Sequence, residues 1–247
     1  MSINGRKVND GFYSNGRDYW SQVEPTLDGM LGGFTTITGV DITASKRLLN
    51  KYFKELDKRS TDLIGNKDND DDNNGQQQQR VTRALDCGAG IGRVSKHLLL
   101  KYFDSVDLLE QNPEFLTEAK TYIGSEDYKR IGNSYNSGLQ DFTPDPDIKY
   151  DCIWIQWVTG HLADDDFVQF LGKCKSALNQ SDDGIIVVKD NTTQSDECDD
   201  DTNDSSVTRP HWLFIDIFKR ANLELICERK QYKMPKGLYP VYMFVLK

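Results

Sequence analysis

The sequence predicts an α/β fold in which a mostly parallel sheet of seven strands carries helices on both faces. Short apolar runs alternate with amphipathic helical stretches from residue 83 onward, which is the spacing of βαβ units. A glycine-rich turn follows the first of these runs and opens a helix. The last two apolar runs have no helix between them, so their strands should pair antiparallel at one edge of the sheet.

Each element of this sheet domain is predicted from its own hydrophobic pattern. The predicted strands are Arg83–Cys87, Ser105–Glu110, Asn133–Ser137, Tyr150–Gln156, Gly184–Lys189, Leu223–Gln231 and Val241–Leu246. The predicted helices are Arg93–Lys101, Pro113–Ile123, Asp164–Leu178 and His211–Ala221. Together they assign residues 82–247 to one domain.

The first 56 residues are predicted to form a helical cap. A helix is expected from Arg17 to Val23, and apolar residues recur at helical spacing between Thr43 and Leu56. Thr43 or Asp41 would supply the start signal of this second helix. Residues 57–81 hold a run of Asp and Asn followed by four Gln, which cannot bury an apolar face, so they are predicted to be a disordered insertion.

Composition and charge exclude several classes of protein. The chain has a formal charge of −9 and no basic stripe, which argues against a nucleic-acid partner. It contains no apolar run of about 18 residues, and its first residues lack the apolar segment of a signal peptide. The five cysteines form no CxxC pair, so a reduced protein of the cytoplasm or nucleus is expected, with no structural zinc and no membrane contact.

An acidic segment near the C-terminus carries much of the negative charge. Residues 196–204 hold six acids and no base. A charge run is usually a solvated loop. The same run would also suit a cationic partner, such as a peptide that bears Lys or Arg.

The glycine-rich turn carries the first chemical signal. Its sequence, Asp-Cys-Gly-Ala-Gly-Ile-Gly-Arg at 86–93, has G-x-G-x-G spacing, whereas a dinucleotide site favours G-x-G-x-x-G. A carboxylate at Asp86 would oppose a pyrophosphate but suits a cationic cofactor such as S-adenosylmethionine (SAM). Glu110 ends the second predicted strand, where it can accept hydrogen bonds from ribose hydroxyls. These features favour a Rossmann-like class I SAM-dependent methyltransferase fold.

Several longer strings make the resemblance specific. They include Asp-Gly-Met-Leu-Gly-Gly at 28–33, Gly-Leu-Gln-Asp-Phe-Thr-Pro at 138–144 and Ile-Trp-Ile-Gln-Trp-Val-Thr-Gly-His-Leu at 153–162. Shorter matches are Phe-Tyr-Ser at 12–14, Tyr-Trp at 19–20, Lys-Asp-Asn at 189–191 and Asp-Ser-Ser-Val at 204–207. With these strings the chain resembles the α-N-terminal protein methyltransferases. That family methylates the free α-amine of proteins that begin X-Pro-Lys or X-Pro-Arg after loss of Met.

The resemblance implies a set of cofactor residues. They are Gly88, Arg93, Glu110, Gln111, Asn112, Leu139, Gln140 and Gln156. Arg93 would pair with the methionyl carboxylate of SAM, and Leu139 and Gln140 would flank the adenine. Relatives usually carry Asp where Glu110 stands, and because the charge is kept, we expect cofactor binding to survive with adjusted geometry.

The implied catalytic pair is His161 and Asp204. Methyl transfer requires a neutral amine, and a peptide α-amine has a pKa of about 8, so a nearby base that deprotonates or orients the amine would help. His161 follows a predicted strand, where ligands gather in parallel sheets. From its position alone, a capping or core histidine is an equal alternative.

The implied substrate residues come from both ends of the chain. Trp20 and Trp157 would form an apolar wall for the substrate proline, whereas Trp154 is expected in the core. Asn191 would bind the peptide backbone. Asp201 (or Asp200), Asp204 and Ser206 would receive the substrate Lys or Arg, and Leu31, Gly32 and Tyr239 would close the channel.

Two other functions remain open at this stage. A small-molecule methyltransferase would use the same sheet without needing the acidic segment. A degenerate methyltransferase fold would act only as a binding or activator module. The expected activity is repeated methylation of protein N-termini, to the mono-, di- or trimethyl state.

Overall fold

The structure is a computed structural model that describes residues 11–56, 81–180 and 184–247. The predicted insertion, 57–81, lies outside the described residues except for Val81, so the domain boundaries stay predictions. None of the helices in these three stretches is long and apolar enough to cross a membrane.

The strands form the predicted seven-stranded sheet and one separate hairpin. In chain order they are β1 Arg83–Cys87, β2 Ser105–Glu110, β3 Ile131–Asn136, β4 Cys152–Gln156, β5 Ile185–Asn191, β6 Asp199–Asp201, β7 Ser206–Thr208, β8 Leu225–Lys230 and β9 Val241–Leu246. The sheet order is β3-β2-β1-β4-β5-β9-β8. Only β9 runs antiparallel to its neighbours, β5 and the edge strand β8, which confirms the expected pairing of the last two strands.

β6 and β7 form a small antiparallel hairpin outside the sheet, which we call the acidic hairpin. No strand was predicted here, because β6 consists of three aspartates. Asp residues are depleted in strands. The acidic segment is therefore an ordered projection and not a simple loop.

The helices pack on both faces of the sheet. They are α1 Phe12–Ser21, α2 Leu27–Met30, α3 Thr38–Leu49, α4 Arg93–His97, α5 Pro113–Ile123, α6 Ser125–Tyr128, α7 Asp164–Ala177 and α8 His211–Arg220. α7 and α8 bury Phe167, Phe214 and their neighbours in one apolar cluster. α3, α4 and α5 contribute to a second cluster.

β4 shows how one strand serves both clusters. Ile153 and Ile155 belong to the first cluster, and Cys152 and Trp154 to the second, because successive side chains of a strand point to opposite faces. Trp154 is fully buried, as expected. With apolar residues on both faces, this part of the sheet is anchored on each side, and its strand ends can hold a site in place.

Three helices differ from their predicted bounds by more than one residue. The first helix covers Phe12–Ser21, earlier than Arg17–Val23. α3 begins at Thr38, continuing a 3-10 turn, and ends at Leu49. Asp41 is therefore buried inside α3 and is not its start signal. α4 ends at His97, and a 3-10 turn covers Leu99–Lys101.

Candidate active site

A cleft opens at the carboxyl ends of β1, β2 and β4. It brings together most of the residues predicted for the cofactor, two of those predicted for the substrate and one of the predicted catalytic pair. The predicted residues that line it are Trp20, Gly88, Arg93, Glu110, Gln111, Leu139, Gln140, Gln156, Trp157 and His161. Ligands bind at this edge of parallel sheets, so the position itself indicates a binding site.

The glycine-rich turn is built for close backbone approach. Gly88 has φ +68°, and a Cβ there would lie 2.7 Å from a methyl carbon of Val158. Gly90 has φ +54°, and a Cβ there would lie 2.6 Å from the sulfur of Met30. Side chains at either position would be strained and would clash, which leaves the turn bare toward the cleft.

Glu110 is fixed at the end of β2 by the backbone. Its two carboxylate oxygens accept hydrogen bonds from the N–H groups of Gly90 and Asn112, each at 2.9 Å. Burial raises the pKa of Glu110 above its ordinary value, although these backbone donors oppose the shift. The predicted Asn112 does not line the cleft. Its side chain caps α5 and donates to the carbonyl of Trp20.

The expectation that Asp86 faces a cationic cofactor is wrong. Its carboxylate accepts hydrogen bonds from the Ser95 N–H, at 3.0 Å, and from the Ser95 hydroxyl, at 2.6 Å. Asp86 therefore accepts a backbone N–H that would otherwise be unpaired in the first turn of α4, and it does not line the cleft. Burial raises the pKa of Asp86 to about 6, against the opposing effect of these hydrogen bonds.

A buried cluster of charges, which we call the Asp41 cluster, lies beneath Arg93. Asp41 accepts from Arg93 Nη1 at 2.7 Å and from Gln156 Nε2 at 3.0 Å, and it pairs with Lys189. Lys189 Nζ also meets the Asp41 carbonyl, at 3.2 Å, and the Ser45 hydroxyl, at 2.9 Å. Three acceptors around one amine match the three donors of an ammonium group.

The Asp41 cluster holds two cations and one carboxylate. Burial raises the pKa of Asp41, but Lys189 and Arg93 outweigh burial and hold it below its ordinary value. Burial lowers the pKa of Lys189, although Asp41 opposes that shift. The cluster therefore has two basic side chains for one carboxylate, and Arg93, the one that lines the cleft, carries the positive charge that a ligand would meet. A ligand carboxylate would balance this charge. Sequence reasoning missed Asp41 and Lys189, which share no local motif with Arg93.

Trp157 is held in a rare backbone conformation directly above this cluster. Its φ is +54°, a value that residues with side chains seldom adopt outside functional sites. Its indole ring centre lies 5.3 Å from the Arg93 guanidinium carbon. Within the described residues, its buried Nε1 has no hydrogen-bond partner, and a buried donor in that state costs about 1–3 kcal/mol. A bound ligand could accept a hydrogen bond from this N–H.

His161 lies in the 3-10 turn that follows β4. The Trp20 Nε1–H donates to His161 Nε2 at 3.0 Å, and Asp204 Oδ2 lies 4.0 Å from the same nitrogen. Burial lowers the pKa of His161 below its ordinary value, although Asp204 and Asp190 oppose the shift. A histidine with a lowered pKa is neutral at pH 7, which is the state that a base requires.

Two buried side chains that sequence reasoning missed hold this turn. Arg209 donates to the carbonyls of Thr159, at 2.8 Å, and Leu162, at 2.5 Å, on either side of His161. Asp190 accepts from the Thr159 hydroxyl at 2.6 Å. Asp190 belongs to one of the matched strings. The sequence nevertheless did not reveal that Arg209 and Asp190 hold this turn, because their hydrogen-bond partners are distant in sequence.

Seven residues predicted for the substrate lie outside the residues that line the cleft: Leu31, Gly32, Asn191, Asp201, Asp204, Ser206 and Tyr239. Leu31 is buried, and Asn191 ends β5 half-buried. Asp201 and Ser206 face each other across the acidic hairpin, and the Tyr239 hydroxyl donates to Asp199. Their roles in substrate binding stay predictions.

α1 contributes four residues to the cleft lining that were assigned no role: Phe12, Tyr13, Gly16 and Arg17. Tyr13 fastens α1 to the rest of the site, since its hydroxyl accepts from the Ala163 N–H at 3.1 Å and donates to Asp166. The matched string at residues 12–14 was the available signal for Phe12 and Tyr13. The early start of α1 places these side chains in the cleft.

The fold and the site define a class of enzyme, the SAM-dependent methyltransferases. Their common sheet is seen in the DhpI–SAH complex, which is 17% identical, with a TM-score of 0.60 over 96% of this chain and 98% of that one. A SAM-dependent methyltransferase from Leishmania major is 31% identical, with a TM-score of 0.78 over 96% of this chain and 83% of its own. The residues found here fit SAM, with a bare glycine turn, a carboxylate at the end of β2 and the positive charge of Arg93 for the methionyl carboxylate.

The family follows from the whole length of the chain. Residues 8–247 match the family described as AdoMet dependent proline di-methyltransferase, and the chain belongs to that family. It is 43% identical to human N-terminal Xaa-Pro-Lys N-methyltransferase 1 over 96% of this chain and 95% of the relative. The Danio rerio protein of the same name is 44% identical, with the same coverage. These findings confirm the resemblance, the fold and the cofactor.

Proposed function

We propose that this enzyme methylates the free α-amine of proteins that begin Xaa-Pro-Lys or Xaa-Pro-Arg after removal of Met. The observation that carries the proposal is the largely buried His161, whose Nε2 lies 4.0 Å from Asp204 where the cofactor cleft meets the acidic hairpin. The names of the full-length relatives, N-terminal Xaa-Pro-Lys N-methyltransferase 1, support the same substrate class.

SAM supplies an electrophilic methyl group on a sulfonium. The bare turn at Gly88 and Gly90 would admit the cofactor close to the backbone. Glu110 would accept hydrogen bonds from its ribose hydroxyls, and Arg93, positioned by Asp41, would pair with its carboxylate. Leu139 and Gln140 would flank the adenine. These contacts orient the donor and leave proton handling to the other half of the cleft.

His161 and Asp204 would manage the protons of the substrate amine. The α-ammonium must lose a proton before its nitrogen can attack, and its pKa of about 8 makes this loss easy. Asp204 Oδ1 is buried and has no partner among the described residues, so it is available to accept an amine N–H. Neutral His161 lies next to it and can take the proton at Nε2 when the Trp20 N–H gives up its hydrogen bond to that nitrogen.

The same pair could serve successive methyl transfers. Each transfer leaves a charged amine that must lose another proton before the next attack. Because His161 and Asp204 do not bond covalently to the substrate, they can repeat the step until no N–H remains. The mono-, di- and trimethyl states are all within reach of this mechanism.

The walls of the cleft suit the second and third residues of such a substrate. Trp20 and Trp157 offer aromatic faces to a rigid proline ring, which loses little entropy on binding. The acidic hairpin presents Asp201 and its neighbours as exposed carboxylates. An ion pair between exposed groups contributes about 0.2–1 kcal/mol, so several of these carboxylates acting together would favour Lys or Arg at the third position.

Mass spectrometry of peptides tests the proposal directly. A peptide beginning Ser-Pro-Lys is incubated with the enzyme and SAM, beside an N-acetylated copy and a copy with Gln at the third position. We expect methylation of the free peptide, none of the acetylated peptide and much less of the Gln peptide. Equal methylation of the acetylated copy would place the reaction on the lysine and contradict the proposal.

A further inference from the structure

A second groove, which we call the basic groove, lies between α3 and the β8–β9 side of the sheet. Its lining includes Val40, Arg47, Lys51, Arg229, Tyr232 and Met243. It uses a different face of α3 from Asp41 and Ser45, and it shares no lining residue with the catalytic cleft.

The charge of the basic groove is opposite to that of the whole chain. Arg47 on α3 and Lys51 just after it line one side, and Arg229, Lys230 and Lys233 line the other from the end of β8 onward. Among the described residues, no Asp or Glu lines the groove. The protein as a whole carries −9. A local reversal of sign in a concave surface attracts anionic groups.

The cations of the groove are not used to hold the fold together. Within the part of the chain that the structure describes, Arg47, Lys51, Arg229 and Lys233 form no salt bridge, and their side chains are exposed. The Lys230 ammonium lies 5.8 Å from the centre of the Tyr242 ring. Four cations therefore remain available to a ligand.

The floor of the groove is apolar. Val40 and Met243 line it, and Tyr232 stands at the rim with 74% of its surface exposed. Apolar walls contribute little to binding a phosphodiester backbone, which is held by charge. They do stabilise a peptide that carries apolar side chains between its acidic ones. The combination favours protein over nucleic acid.

The dimensions and the sheet edge favour an extended segment. α3 has 12 residues, so at about 1.5 Å per residue the helix wall is about 18 Å long. An extended peptide at about 3.3 Å per residue would need about six residues to span it. β8 pairs only with β9 in the described sheet, and such an edge strand can accept an added strand.

We propose that the basic groove is a docking site for an extended acidic segment of a partner protein, in which carboxylates alternate with apolar side chains. The carboxylates would face Arg47, Lys51, Arg229 and Lys233, and the apolar side chains would cover Val40 and Met243. The period-two alternation of an extended chain separates the two sets in this way.

The test measures binding of a fluorescent peptide, in which Glu alternates with Leu, to the full-length protein. Fluorescence anisotropy of the peptide reports the binding. The wild type should bind the probe saturably, and added salt should weaken binding. The double variant Arg47→Glu/Lys233→Glu should bind about tenfold more weakly, because two attractions become repulsions. The matched control Lys120→Glu/Lys219→Glu makes the same change of charge at exposed positions of α5 and α8 and should bind like the wild type.

Further arms separate the alternatives. Methylation of a short Xaa-Pro-Lys peptide should be unchanged in both double variants, which shows that each is folded. Absence of probe binding, or equal loss in the matched control, would overturn the proposal. A DNA oligonucleotide that binds more tightly than the peptide would assign the groove to nucleic acid instead. Dimerisation abolished by Arg47→Glu/Lys233→Glu would assign it to a second copy.

Discussion

The two halves of the catalytic cleft are built in different ways. In the cofactor half, Glu110 and Arg93 sit at or beside adjacent strand ends, are buried, and are each held in place by hydrogen bonds within the protein. In the substrate half, Trp20 and His161 meet across 141 positions of sequence. Asp204, on the acidic hairpin side, leaves a buried oxygen without a partner among the described residues.

This difference assigns separate tasks to the two halves. A half whose polar groups already have partners holds its shape before the ligand arrives, so binding loses little to reorganisation. A half with an unpaired buried acceptor gains most when a donor such as an amine completes it. Substitutions in the cofactor half should therefore change cofactor affinity or stability, and those in the substrate half should change the rate.

The largest expected effect is on the rate, at His161. His161→Gln removes the base but keeps an oxygen that can accept from Trp20 Nε1, so the local contact survives. We expect kcat/KM for an Xaa-Pro-Lys peptide to fall about 10²–10⁴-fold, the usual contribution of a general base. Steady-state kinetics measure the fall.

The affinity for S-adenosylhomocysteine, measured by calorimetry, is the control for His161→Gln. It should be unchanged, because His161 belongs to the substrate half. Loss of cofactor affinity with an unchanged rate at saturation would show that the two halves are not separate in the way described.

The next effect is on stability, at Asp41. Asp41→Asn leaves Arg93 and Lys189 buried together without their carboxylate. Breaking a buried ion pair in this way costs about 3–5 kcal/mol, which chemical denaturation should reveal. Calorimetry should also show weaker cofactor binding, since Arg93 loses its positioning partner.

The double variant Asp41→Asn/Lys189→Met sharpens this prediction. It removes one of the two unpaired cations and should recover part of the lost stability, whereas Lys189→Met alone should be destabilising. Equal stability of Asp41→Asn and the wild type would mean that the Asp41 carboxylate does not stabilise the buried Arg93 and Lys189.

A smaller effect is expected at Glu110. Glu110→Ala removes the acceptor for ribose hydroxyls and for two backbone N–H groups. A lost charged hydrogen bond is worth about 1.5–3 kcal/mol, so cofactor affinity should fall about 10- to 100-fold by calorimetry. Glu110→Asp keeps the charge and should retain most of the affinity. Unchanged binding by Glu110→Ala would remove the ribose assignment.

The sequence predicted the cofactor half because its signals are local. The glycine turn, Glu110 and Gln156 each follow an apolar run that ends at the same edge of the sheet, so spacing alone brings them together. The orientation of one side chain was not predictable in the same way. Asp86 precedes the turn, but its partner Ser95 lies nine positions later, and this contact turns it away from the cleft.

The substrate half and the cap depend on contacts that no local pattern records. Asp41 and Lys189 are 148 positions apart, and the helical repeat around Asp41 could not reveal that it is buried against two cations. The acidic hairpin contradicts the strand propensity of its own residues. The family resemblance, and not spacing, pointed to Trp20, His161 and Asp204 as members of one site.

The smallest expected effect concerns the acid limb of the pH profile, at Trp20. The Trp20 N–H donates to the lone pair of neutral His161, and a hydrogen bond that favours the neutral form lowers the pKa of a histidine. Trp20→Phe keeps an aromatic ring beside His161 but removes this donor, so the pKa of His161 should rise from its lowered position. The acid limb of kcat/KM should then move to higher pH by less than about one unit. The α-amine of the peptide titrates at about pH 8 in both proteins, so the shift is read from the difference between their profiles. A shift to lower pH would mean that the Trp20 hydrogen bond raises the pKa of His161. Among the described residues, burial would then be the only effect that lowers this pKa.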